Sequence, residues 1–178
     1  WLFTFMKKNQ LNYLQLGSFF ELYSVDLQFF RDLKAEAETY DVQISSCFTA
    51  HRELGGFFTG NPFLIEAAYK NYKRFIDVAS ALGAHYIGSN PGAIYRDKPE
   101  LKERAISCYM AYMKKLMTYA FEKGIKALTI EPMSCLMEPP STPGEIRLMM
   151  NTLNSYHQKN SETVPVYLCG DISHGFAD

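Results

Sequence analysis

Five short apolar runs, separated by longer amphipathic stretches, constrain the fold of this chain more than any other feature of its sequence. The runs centre near Leu16, Ile44, Ile87, Ile130 and Leu168, at spacings of 28 to 43 residues. Each run has the length of a strand, and each gap has room for a helix. Strand and helix in strict alternation require right-handed crossovers and a parallel sheet. Such spacings suit a (β/α) barrel or an open doubly wound sheet. No Gly-rich phosphate loop follows any run, which counts against a nucleotide-binding sheet.

The local signals between the runs are consistent with this pattern. Trp1–Lys8 reads as the tail of a helix, with Lys7 and Lys8 where the dipole favours cations. Tyr13–Gly17 reads as a strand, and Asp26 as the N-cap of an amphipathic helix to about Tyr40. The strand Val42–Phe48 runs into a predicted loop, Thr49–Gly56. Asn61–Pro62 opens a long helix that Gly83 closes. His85–Gly88 is the third predicted strand, Ser89–Gly92 the turn after it, and Pro99 to Lys123 the next helix. Ser141 or Thr142 caps a helix from about Pro143.

Two of the runs end on carboxylates. Lys126–Glu131 is stopped by Pro132, which cannot donate to a sheet ladder, so Glu131 falls at the strand's C-terminal end. Val164–Asp171 ends in the same way and is followed by Ile172, Ser173 and His174. The C-terminal ends of parallel strands are where α/β proteins keep their chemistry. Two carboxylates delivered there by consecutive strands suit a divalent cation such as Mn²⁺ or Mg²⁺. Taken singly, each carboxylate is more often a helix cap or a surface residue. His51, beside Arg52 and Glu53, either contacts a polyhydroxyl substrate or pairs with a neighbour. Phe19, Phe20, Phe57 and Phe58 either wall a pocket or pack a neighbouring subunit. His85 and His157 attract no role, and no histidine–cysteine arrangement marks Cys135 or Cys169 as a nucleophile.

Composition narrows the classes of function. A 47% hydrophobic chain of 178 residues is expected to form one domain with a real core. Its net charge of −1, without long runs of either sign, gives no support to a nucleic-acid or membrane surface. Cys47, Cys108, Cys135 and Cys169 form no CxxC pair, which favours reduced thiols and a cytoplasmic location.

Glu131–Pro132 after one strand and Asp171–Ile172–Ser173–His174 after the next resemble the xylose-isomerase-like TIM-barrel superfamily of sugar and sugar-phosphate isomerases and epimerases, including the ketose 3-epimerases. The resemblance implies a (β/α)8 TIM barrel. It makes Glu131 both a metal ligand and the catalytic acid/base, Asp171 a second metal ligand, and His174 a substrate contact. Glu138 lies near the place of a substrate-binding glutamate, and His51 remains a candidate contact. The cofactor implied is a divalent metal, Mn²⁺ first, with Mg²⁺ or Co²⁺ as alternatives. The implied reaction is proton transfer through a metal-stabilised enediolate on a sugar or sugar phosphate, and a homo-oligomer is compatible with it. The backbone amides of Ser89–Gly92 are a candidate seat for a substrate phosphate.

The family completes its metal site with a histidine after the seventh strand and a glutamate after the eighth. Strand matching places the present five runs second to sixth, so residues 1–178 are expected to be a single barrel domain truncated at both ends. The start at Trp1, without a methionine and inside a helix, points the same way. Two other readings stay open. One is a sugar-binding barrel without catalysis. The other is a relative of the apurinic endonucleases, which carry a histidine where Asn90 precedes Pro91–Gly92 here; Asn90 is a poor zinc ligand.

Overall fold

A computed structural model describes residues 1–17, 24–49, 52–172 and 174, except for the side chains of Arg52 and Glu53. In chain order the elements are α1 (Leu2–Lys8), β1 (Tyr13–Gly17), α2 (Leu27–Thr39), β2 (Gln43–Thr49), α3 (Pro62–Leu82), β3 (Tyr86–Ser89), α4 (Lys102–Glu122), β4 (Ala127–Ile130), α5 (Pro143–Lys159) and β5 (Val166–Leu168). A 3₁₀ helix, Arg52–Phe58, follows β2, and a 3₁₀ turn, Pro99–Leu101, leads into α4.

The five strands form one parallel sheet in the order β1-β2-β3-β4-β5. Sequential order with every neighbour parallel is the arrangement of consecutive strands in a (β/α) barrel. Register runs unbroken across the sheet through Leu16, Cys47, Ile87, Leu128 and Val166. This row faces the helices, and its last four members are almost fully buried. The adjacent row, Gly17, Phe48, Gly88, Thr129 and Tyr167, faces the other way.

The helices form where the sequence signals place them. Asp26 Oδ1 accepts the Gln28 N–H at 2.7 Å and starts α2. Asn61 Oδ1 accepts from Phe63 N at 2.9 Å beside Pro62 and starts α3, and Gly83 ends it at φ 75°, a left-handed conformation that costs glycine little. Along α3, Ala68, Tyr72, Phe75, Ile76, Ala79 and Leu82 recur at helical spacing and are buried, as are Tyr109, Met113, Leu116, Met117 and Ala120 of α4. Thr142, rather than Ser141, caps α5, its Oγ1 accepting from Glu145 N at 3.3 Å.

Two expectations are corrected. The segment read as a loop after β2 winds into the 3₁₀ helix. Phe57 and Phe58 neither line a pocket nor await a subunit: they are 1% and 0% exposed, with Phe57 against Tyr109 and Tyr112 and Phe58 against Tyr109. A 3₁₀ turn brings both rings onto α4, where burial in the chain's own core removes them from water. The last strand is also shorter than its apolar run at both ends: Pro165 has no N–H to give the ladder, and Cys169–Asp171 lie beyond β5.

Candidate metal centre

Side chains alternate along β4, so Leu128 and Ile130 point to the helices while Ala127, Thr129 and Glu131 share the opposite face. The Glu131 N–H still donates to Ser89 O at 3.3 Å, which holds the residue in the sheet's frame one step past the strand. On the neighbouring chain segment Cys169 N donates to Ile130 O at 2.9 Å, carrying parallel pairing one residue beyond β5. A turn closes immediately afterwards, with His174 N donating to Asp171 O at 3.2 Å. That turn folds His174 back over Asp171.

The result is a three-residue cluster at one end of the sheet. His174 Nε2 lies 3.7 Å from Glu131 Oε1 and 3.6 Å from Asp171 Oδ2. One donor atom from each of Glu131, Asp171 and His174 falls within 4.8 Å of the other two. Donors bound to a common cation at about 2.0–2.3 Å are separated by distances of this size. Two carboxylate oxygens and an imidazole nitrogen form a set that Mn²⁺, Zn²⁺ and related ions accept.

The electrostatics of the cluster fit the same use. Glu131 is 8% exposed. Burial pushes its carboxyl above the usual range, His174 draws it down, and Asp171 pushes it up again. Burial also raises the Cys169 thiol, and the charges of Glu131 and Asp171 raise it further, so Cys169 stays protonated beside the cluster. A divalent cation would favour the charged form of Glu131 that burial and, to a lesser degree, Asp171 disfavour.

Of the residues singled out in the sequence, Glu131, Asp171 and His174 are brought together. Glu138 is not in that cluster. It sits in the β4–α5 loop, its N–H donating to Cys135 O at 2.8 Å. His51, Phe19 and Phe20 lie outside the described residues. The Ser89–Gly92 turn packs on the 3₁₀ helix so closely that a Cβ on Gly92, at φ 129°, would stand 2.6 Å from Gly55 Cα. His85 precedes β3 at the opposite end of the sheet, and His157 on α5 has its Nδ1 2.9 Å from Thr163 Oγ1. Sequence reasoning missed Lys102, whose ammonium is 2.5 Å from Glu145 Oε1 and 2.6 Å from Leu136 O. The Thr142–Glu145 spacing signalled a capped helix, but nothing local linked it to α4.

No protein-family model matches the sequence, and no curated protein does. Solved structures do match in shape. A protein of Rhodospirillum rubrum assigned as a xylose isomerase superposes with a TM-score of 0.81 at 21% identity, over 96% of this chain and 59% of its own. The D-psicose 3-epimerase of Clostridium cellulolyticum H10, solved with D-tagatose, gives 0.73 at 16% identity, over 94% and 56%. The IolI protein, solved with a zinc atom bound, gives 0.66 at 16% identity, over 85% and 52%. The chain therefore has the fold of the xylose-isomerase-like TIM barrels, and its five strands correspond to part of such a barrel. It spans between half and three fifths of the length of these three proteins.

Proposed function

We propose that this chain belongs to a divalent-metal-dependent isomerase or epimerase acting on a sugar or sugar phosphate. The observation that carries the reading is the convergence of Glu131, Asp171 and His174 at one end of the parallel sheet. The likeness to sugar isomerases and epimerases supports it through the fold.

In this reading Glu131 and Asp171 hold the cation, with Mn²⁺ the first candidate, and His174 contacts a substrate oxygen. When bound, the cation supplies polarisation of the substrate carbonyl and stabilises negative charge as it develops on oxygen. Glu131 takes the proton from the carbon beside that carbonyl, a task suited to a carboxylate whose basicity is raised by burial. Return of a proton to the adjacent carbon gives the isomer; return to the other face of the same carbon gives the epimer. Glu138 is a second candidate contact for the sugar hydroxyls.

The test is incorporation of solvent deuterium into carbon-bound positions of D-fructose, D-psicose and D-tagatose by the Mn²⁺-loaded protein, which reads both outcomes at once. Glu131→Gln is expected to slow incorporation by about 10³-fold while the fold is retained. Equal incorporation by the variant would remove Glu131 from the chemistry, and no incorporation into any sugar by the parent protein would overturn the reading.

A further inference from the structure

The β4–α5 loop leaves the sheet at Glu131 and returns to α5 through Ser141, and it is tied down along its whole length. Met133 N donates to Pro140 O at 2.9 Å, closing the loop on itself. Ile94 N, from the β3–α4 connection, donates to Met137 O at 2.8 Å. The third tie comes from a side chain rather than the backbone. Lys102, in the first turn of α4, gives one N–H to Leu136 O at 2.6 Å and pairs with Glu145 Oε1 at 2.5 Å. The other Glu145 oxygen accepts from Ser141 N at 2.8 Å and Ser141 Oγ at 3.1 Å, at the loop's far end. One lysine and one glutamate thus grip the loop at two points and bind it to two helices.

We infer that Lys102 is a positioning residue: with Glu145 it clamps the β4–α5 loop and so fixes the segment that carries Glu138. The assignment rests on the reading of Glu138 as a sugar contact, but the clamp stands on geometry alone. Both partners are largely shielded, with side chains 21% and 16% exposed, so their attraction is screened less than that of a surface pair. Burial pushes the Glu145 carboxyl up, but Lys102 and the Ser141 donors outweigh it and hold it below the ordinary range. The Glu145 carboxyl therefore keeps its charge at neutral pH. The pair also lines a groove of about 540 Å³ between the first turns of α4 and α5, so shortening Lys102 opens onto existing space rather than a closed void.

The test is hydrogen exchange at the amides of Met133 and Glu138, together with steady-state kinetics on D-fructose and titration with Mn²⁺. Lys102→Met is expected to speed exchange at both loop amides by about tenfold or more while Leu128 and Ile130 of β4 keep their protection. Lys102→Arg, which keeps charge and donors, should restore most of the protection. Because Lys102→Met leaves a buried carboxylate unpaired, the double variant Lys102→Met/Glu145→Gln is measured beside it; its loop amides should remain fast. In both, KM for D-fructose should rise by about tenfold with kcat little changed, as expected for a lost substrate contact, and Mn²⁺ affinity should not move. Unchanged loop exchange, or faster exchange spread equally through β4, would overturn the clamp. Loosened loop amides with KM unchanged would overturn its role in positioning Glu138. A parent protein that neither binds Mn²⁺ nor exchanges deuterium would overturn the proposed activity, and loop exchange would still decide the clamp.

Discussion

Glu131 and Glu145 are both glutamates withdrawn from water, yet their surroundings push them in opposite directions. Glu145 meets an ammonium at 2.5 Å and two donors from Ser141, and its carboxyl is held low. Glu131 meets Asp171 and a histidine no nearer than 3.7 Å, and its carboxyl is held high. The first is neutralised by its own chain. The second is held up chiefly by burial, which His174 opposes and Asp171 reinforces, so its charged form is disfavoured where it stands. The difference separates an ion pair satisfied within the chain from the cluster proposed as the metal site.

The largest expected effect sharpens this contrast. If Glu131 holds the cation as proposed, Glu131→Gln should weaken Mn²⁺ binding by at least about a hundredfold, read by calorimetric titration, because it removes a ligand outright. Glu145→Gln should leave that affinity within about twofold, since its partners lie outside the cluster. If the two variants lost Mn²⁺ equally, the division between them would fail.

Stability should divide them the other way. Glu145→Gln breaks a shielded pair and leaves Lys102 short of a partner, and is expected to cost about 2 kcal/mol in urea unfolding, discounted from the value for a fully buried pair. Glu131→Gln in the metal-free protein should cost nothing comparable, because the charge it removes is unfavourably placed.

The smallest effect is the pH dependence of that cost. The Glu145 carboxyl titrates lower folded than unfolded, so its contribution is fully present above the unfolded value of about 4.3 and is lost as pH falls through the lower folded value. Urea unfolding of the parent and of Glu145→Gln should therefore differ at pH 6 and converge as pH drops below 4. A gap that stays constant over that range would mean that the carboxylate charge is not what stabilises this corner.

Much of the architecture was legible along the chain because its causes are local. The caps at Asp26 and Asn61 and the left-handed Gly83 are decided by a few consecutive residues, and the structure keeps each of them. The apolar runs marked five strands, and Pro132 marked where one of them ended. Their ends were less secure: Pro165 shortened β5, and the first turn after Pro99 is 3₁₀ before α4 becomes regular. Phe57 and Phe58 were misplaced because nothing in Arg52–Phe58 announces that Tyr109, on a later helix, waits to receive them. His51 falls outside the described residues, and its role stays a proposal.

By itself the sequence determined the order of the elements, the two strands beyond whose C-terminal ends Glu131 and Asp171 fall, and the kinds of donor available there. Those properties follow from backbone periodicity and from proline and glycine, whose effects reach only a few residues. Only the tertiary structure decided which carboxylate would be neutralised. Glu131, Asp171 and His174 share a point because β4 and β5 pair in parallel register, and Lys102 reaches Glu145 because α4 and α5 pack side by side. A charge's environment is set by what lies within a few ångströms in space, and these neighbours come from segments far apart in the chain.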